Sequence, residues 1–305
     1  MSAPRLVVAG NLLVDDLVFA DGNTRLCEAG GAVLYAATSA SLWSDGIACL
    51  SRSGDDYPAA ALHALHARGV DMSGVSPLGR SGGRTWLLYE CSDWRMVPRL
   101  GRPTHEAVSP APDDVPASWR QAAAVHLCPM PLSCQQALLD GWSANTFISI
   151  DPHLPLRDDT LSAWLPILHR VDAIFLGESE LLLDGVREQP LSALRPLRGG
   201  RLRYVICKRG AAGGLLYDTV ADRLIPWPAR AAQIVDPTGC GDAFAAGFVT
   251  ALLDGAALDA ALSQGVVSAS FALAGWGASA ILSTTPEAAR ARRGTWYDVP
   301  GTHSA

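Results

Sequence analysis

The chain has 305 residues, 49% of them hydrophobic, at a mean hydropathy of +0.17, which is enough for one large or two small buried cores and excludes global disorder. Its 24 basic and 30 acidic side chains leave a formal charge of −6, so no general polyanion-binding surface is expected, nucleic acid is excluded as a partner, and any phosphate site must be local. The seven cysteines include no C-x-x-C pair, and neither a leader-like apolar segment nor a run of about 18 apolar residues is present, so the expected setting is cytoplasmic, reducing and away from the membrane.

From the N-terminus, Leu6-Val7-Val8-Ala9-Gly10 is a short apolar run suited to a buried parallel strand, and it delivers Gly10-Asn11 to the strand's C-terminal end. Residues 12–26 alternate apolar and acidic, 32–43 are small and apolar and predict a helix close against a sheet, and 47–50 and 57–68 predict the next strand and helix. Such alternation is the mark of an α/β fold with a central, mainly parallel sheet flanked by helices. Residues 84–90 and 95–99 predict a hairpin carrying the aromatics Trp86, Tyr89 and Trp94. Neither it nor 12–26 has the crossover helix that a parallel strand needs, so the segments at about 11–29 and 84–101 are expected to form a small β-sheet lid.

Beyond a proline-rich connector at 103–116, strands are predicted at 123–127, 146–151, 173–176, 204–207 and 214–217. Helices are predicted around 134–142, 243–253 and 258–274, followed by a polar C-terminal tail. No internal repeat or long linker divides the chain, which reads as one domain over 1–305. His63 and His66 are the only close histidine pair; with no third ligand nearby they read as a solvated helix face rather than a metal site.

The run with most chemical content is Val235-Asp236-Pro237-Thr238-Gly239-Cys240-Gly241-Asp242-Ala243-Phe244. It sets a glycine-rich turn at the mouth of an apolar helix, whose first N–H groups lack intrahelical partners and carry roughly half a positive charge from the macrodipole. A carboxylate such as Asp242 would be repelled by a phosphate bound there unless it had work to do, and accepting a proton from an attacking hydroxyl is that work. A bare G-x-G-D would be an ordinary capped turn; the longer string is more specific.

This string resembles the C-terminal signature of the ribokinase (phosphofructokinase-B, PfkB) family of carbohydrate and nucleoside kinases, which transfer the γ-phosphate of ATP to a substrate hydroxyl. The resemblance implies a ribokinase-like three-layer α/β/α core with a β-sheet lid, ATP and Mg2+ as cofactors, and a small neutral sugar, polyol or nucleoside as substrate. In its terms Asp242 is the base, and the N–H groups of Gly239, Cys240 and Gly241 form the anion hole. Asn11, Asp15, Gly30 and Gly31 resemble the residues that hold substrate, and Gly54-Asp55-Asp56 resembles a short motif of structural use. Lys208 and Gly210, with Thr238, Gly239, Gly241 and Gly277, resemble nucleotide contacts.

Several positions depart from the pattern or leave a choice. Lys208 reads equally as part of a solvated basic edge with Arg209 and the arginines between 195 and 203. Glu180 falls where the family organises magnesium through water, although Gly177 stands in place of an asparagine. Asp151-Pro152-His153, with Arg157 and Trp164, resembles Asp-Pro-Asn followed by Arg, with His153 replacing the asparagine. The family also opens two options that the sequence does not decide, a potassium ion near Asp236 and Thr238 and a homodimer through the lid. No lysine follows Gly30-Gly31, so this segment offers no cation to a phosphate-bearing sugar. Two rival readings stay open, a nucleoside kinase of the same family and a ligand sensor that kept the fold without turnover. The lack of G-x-G-x-x-G after the first strand argues against a dinucleotide oxidoreductase.

Overall fold

The computed structural model describes residues 3–90, 93–152 and 154–297, the side chains of 93 and 94 excepted. In chain order the strands are β1 (Leu6–Ala9), β2 (Leu13–Phe19), β3 (Thr24–Gly30), β4 (Ile47–Ser53), β5 (Asp71–Pro77), β6 (Arg84–Glu90), β7 (Asp93–Pro98), β8 (Ala124–Leu127), β9 (Phe147–Ile150), β10 (Leu156–Arg157), β11 (Ala173–Gly177), β12 (Leu181–Leu182), β13 (Tyr204–Lys208), β14 (Gly214–Asp218) and β15 (Arg223–Trp227). The helices are α1 (Ala32–Ser41), α2 (Ala59–Ala67), α3 (His105–Val108), α4 (Leu132–Ala137), α5 (Leu161–Leu168), α6 (Pro190–Leu194), α7 (Cys240–Leu253), α8 (Leu258–Ala272), α9 (Ser279–Ser283) and α10 (Pro286–Tyr297).

Nine strands form the main sheet in the order β15-β14-β13-β11-β9-β8-β1-β4-β5. Those from β5 to β13 run parallel, while β13, β14 and β15 are antiparallel neighbours. Every residue of β1 and β8 is buried, because helices cover both faces of a parallel sheet. In β1, Leu6 and Val8 join the core under α1, α7 and α8, whereas Val7 and Ala9 join a second core with Trp119, Trp164 and Ile167. The period-2 alternation of a strand thus feeds two helical layers. The chain passes from β1 to β4 and β5, then returns to β8 on the other side of β1. That reversal opens a crevice at the C-terminal ends of β1 and β8, where ligands of open α/β sheets bind.

The lid is a separate four-stranded sheet in the order β3-β2-β6-β7. Its two hairpins are antiparallel, but they join through a parallel contact between β2 and β6. The expectation of a small separate sheet holds, and the expectation that it lacks a parallel crossover does not: α1, β4, α2 and β5 together form that crossover.

Other differences lie where the local pattern is weak. Two strands absent from the sequence reading, β5 and β15, are the edges of the main sheet, where half-polar runs and Pro226 are tolerated. The helix expected over 134–142 shortens to α4, and the expected polar tail contains α9 and α10. Helix α10 buries Ala289 and sets Arg292 over the Phe271 ring of α8, 3.7 Å from its centroid. His63 and His66 lie on an exposed face of α2, and Asp56 accepts from the Gly82 N–H and from Arg102, both at 2.7 Å, a structural use as expected. Among the described residues no helix is long and apolar enough to cross a membrane.

Helix α7 lies between α1 and α8, and small residues set the distances. Ser39 of α1 donates to the Ala243 carbonyl at 2.6 Å. A side chain on Gly247 would place its Cβ 2.3 Å from Ser268 Oγ, which itself accepts from the Trp43 indole at 2.8 Å. Helix propensity alone favours valine over glycine here, but overpacking costs about 1–3 kcal/mol. The Gly247→Val variant should therefore unfold at lower denaturant than the wild type; an unchanged or higher midpoint would show that this interface can yield.

Candidate active site

The start of α7 stands at the crevice. Gly239 caps it at φ +72°, in the left-handed region that glycine favours, and a Cβ there would lie 2.1 Å from the ring of Tyr35 in α1. Both backbone and packing therefore demand glycine. The first turn-closing bond runs from the Ala243 N–H to the Gly239 carbonyl at 2.9 Å. The N–H groups of Gly241 and Asp242 precede that bond, and no side chain caps the helix. Such a terminus receives anions. Burial pushes the Cys240 thiol up to about 11, and its N–H, expected in the anion hole, donates to the Pro237 carbonyl at 3.3 Å.

Three strand ends bring charges to this turn. Lys208, last in β13, donates to Asp151 just beyond β9 at 2.6 Å, with both side chains largely buried. Its ammonium borders the turn, because a Cβ on Gly241 would lie 3.1 Å from Lys208 Nζ. Burial and then the Asp151 charge hold the Asp242 carboxyl above the usual carboxylate range. Burial likewise raises Asp151. Burial alone would discharge Lys208, yet Asp151 and Glu180 outweigh it and keep the ammonium charged. Lys208 thus belongs to a largely buried pair rather than to a solvated basic edge, while Arg195 and Arg198 pair with Asp222, and Arg201 with Asp172.

Beyond β11, Glu180 accepts from the N–H of Gly177, the residue that stands where an asparagine was expected. Arg157 pairs with Asp159 at the surface and Trp164 lies in the core. His153 and the side chain of Trp94 lie outside what is described. Gly210 opens a short 3-10 turn after Lys208 at φ +52°.

At the other end of the crevice, Asn11 and Asp15 are buried, and no partner meets Asn11 Oδ1. Gly30 makes room for Asp15, since a Cβ there would fall 1.8 Å from Asp15 Oδ2. At Gly31, with φ +91°, a side chain would strike the Asn11 carbonyl at 2.2 Å. Burial pushes Asp15 up to about 8, with smaller upward contributions from Asp236, Asp16 and Asp242 that outlast the hydrogen bond from Gly31. Burial thus favours the protonated form of Asp15.

Its neighbour Asp16 has the opposite fate. It is equally buried, which by itself raises a carboxyl, but Arg84, Arg99 and the Cys27 N–H all donate to it and hold it at about 2.

Asp236, fully buried, accepts from the Thr238 N–H at 2.9 Å, the Thr238 hydroxyl at 2.5 Å and the Gly277 N–H at 2.8 Å. It stitches the glycine turn to the 275–278 loop. Among the described residues no group of three His, Cys, Asp or Glu side chains could hold a metal.

The Asp15 environment gives a stability test. Its folded value lies above the ordinary carboxyl value of 3.8, so its contribution is complete below about pH 4 and is lost as pH rises towards 8, at up to about 1.4 kcal/mol per unit. An Asp15→Asn variant should gain on the wild type in melting temperature steadily between pH 5 and 8. A constant difference across that range would mean that Asp15 is ionised in the folded protein.

The sequence model of the pfkB family carbohydrate kinases matches residues 15–285. The chain is 30% identical over 275 residues to the cytidine kinase of Thermococcus kodakarensis, covering 89% of this chain and 97% of that one. It is 26% identical over 270 residues to a fructokinase of Escherichia coli, covering 83% and 85%. Its fold is similar to that of the ribokinase of Cryptococcus neoformans in complex with ADP, with a TM-score of 0.75 at 17% identity over 96% of this chain and all of that one. The family match takes in every site residue named above except Asn11 and both sheets apart from β1 and the start of β2, and on that ground the chain belongs to the pfkB family of carbohydrate kinases.

Proposed function

We propose that this kinase transfers the γ-phosphate of ATP to a hydroxyl of a neutral ribonucleoside, with Asp242 as the general base. The observation that carries the reading is Asp242 in the first turn of α7, beside uncapped N–H groups and the buried Lys208. ATP bound at this turn supplies the phosphoryl group. Its anionic oxygens are received by the N–H groups of Gly239, Gly241 and Asp242, with Lys208 alongside and Gly210 and Gly277 on the flanking loops. Asp242 takes the proton of the attacking hydroxyl, and its raised basicity suits that task. Glu180 fits a magnesium ion held through water, since such an ion takes most of its ligands from phosphate and solvent.

At the acceptor end, Asn11 Oδ1 is an unmet hydrogen-bond acceptor, and a protonated Asp15 can donate one bond and accept another. The charges that Asp15 feels are all acidic, which disfavours a phosphorylated acceptor. Similarity to a cytidine kinase along nearly all of both chains favours a nucleoside. Similarity to a fructokinase keeps a free sugar as the second reading. Either offers neighbouring hydroxyls.

An ADP-release assay over ribonucleosides, deoxynucleosides, free sugars, polyols and sugar phosphates tests this directly. Turnover should be best with a ribonucleoside, and Asp242→Asn should lower kcat by about 10²–10⁴-fold while ATP affinity stays within a few-fold. Preference for a sugar phosphate would overturn the acceptor assignment, and no turnover with any acceptor would favour the sensor.

Asp151 gives a second test. The base works ionised, so activity falls as pH drops through its pKa. Removing the neighbouring charge in Asp151→Asn should move the acidic limb of kcat/KM to lower pH by about one unit. A limb that stays in place would separate Asp151 electrically from the base.

A further inference from the structure

Three contacts cross from the lid to the loops on the nucleotide side of the crevice. The Tyr89 hydroxyl in β6 lies 2.7 Å from Thr238 Oγ1. Phe19 in β2 stacks on Tyr89, with ring centroids 5.0 Å apart, and sets its edge against Trp276 at 4.8 Å. Arg25 in β3 lies over the same indole, 5.3 Å from its centroid.

The polar contact differs in kind from the other two. The single hydroxyl proton of Thr238 goes to Asp236 at 2.5 Å, so in the pair with Tyr89 the threonine oxygen accepts and the tyrosine donates. Asp236 also holds the Gly277 N–H. One chain of hydrogen bonds therefore runs from the lid through Thr238 and Asp236 to the 275–278 loop, and Thr238 is the residue immediately before Gly239. Phe19 and Trp276 already supply apolar contact between lid and loop. What the hydroxyl of Tyr89 adds is direction, because a hydrogen bond fixes the Thr238 side chain and hence the entry to the turn.

We infer that Tyr89 is a positioning residue that couples the lid to the phosphate-binding turn through Thr238, so that the turn is held in its anion-receiving shape when the lid is down. The inference rests on the kinase reading and goes beyond it, since it ties donor binding to a residue on the acceptor lid.

The test uses the magnesium complex of AMP-PNP, a non-hydrolysable ATP analogue, titrated calorimetrically into the full chain without any acceptor. Tyr89→Phe keeps the ring that stacks on Phe19 and removes only the hydroxyl; it should raise the AMP-PNP Kd by about 3–10-fold. In a Thr238→Val background the same change should have no further effect, whereas in Thr238→Ser, which keeps the hydroxyl, the loss should reappear.

Unchanged affinity in Tyr89→Phe overturns the coupling and leaves Tyr89 as an acceptor contact at most. Equal losses in the wild-type and Thr238→Val backgrounds overturn it too. Should Thr238→Val fail to fold, Tyr89→Phe decides alone. Wild-type protein that binds no AMP-PNP overturns the kinase reading and the coupling together, an outcome distinct from an indifferent Tyr89→Phe in a protein that binds.

Discussion

Taking carboxylates out of water is the constraint on which this structure turns, and the chain meets it in different ways around one crevice. Asp16 is balanced by two guanidinium groups and a backbone N–H. Asp236 is surrounded by three donors from the loops it joins, and Asp151 is paired with Lys208. Asp15 is relieved chiefly by keeping its proton. Asp242 has the Lys208 charge and the helix terminus beside it, but burial and the Asp151 charge outweigh them, so its carboxyl stays above its usual range. An uncompensated buried acid is costly, and the two least compensated acids, Asp15 and Asp242, feel each other's charge. Perturbed acids gathered in a cleft mark a site where protons or charges are handled.

The fold makes this gathering possible because parallel strands end together. β1, β9, β11 and β13 deliver Asn11, Asp151, Glu180 and Lys208 to one edge of the sheet, each at or just beyond a strand end. Side chains carried on strand ends inherit the rigidity of the sheet, whereas the lid sits on a sheet of its own. The division of labour is partial: the charges around Lys208 lie on the core, whereas Asp15 lies on β2 of the lid, which also meets the core through Val14, through the Tyr57 hydroxyl donating to the Gly30 carbonyl and through Phe19, Arg25 and Tyr89.

Much of this was legible in the sequence, and the illegible parts share a cause. The run 235–244 could be read because Gly239 serves backbone geometry and close approach at once, requirements that leave no other residue type in place. The α/β alternation was legible because strands buried on both faces are apolar throughout. β5 and β15 were not, since an edge strand answers to one neighbour only. Asp15 and Asp16 could not be ranked by composition, although strand alternation assigns them to opposite faces; which face meets arginines depends on β6 and β7, far along the chain. Lys208 was ambiguous for the same reason, because its partner is 57 residues away. Tyr35 was hidden in a run of small apolar residues, with no local signal that its ring would pack against Gly239.

The charges around the turn also bear on what must accompany a phosphate there. Asp151, Glu180 and Asp242 are three acids facing one lysine, so with all of them ionised the cluster carries a net negative charge before any nucleotide arrives. The helix terminus offsets roughly half a charge. A triphosphate entering this field would push Asp242 further towards its protonated, inactive form unless positive charge came with it. A divalent cation carried on the phosphates and touched by Glu180 through water relieves that repulsion without a dedicated cage of side chains. On the proposed reading, then, magnesium is required less as a ligand held by the protein than as the counter-charge that keeps the base ionised. The Gly177 N–H holds Glu180 in place for that role.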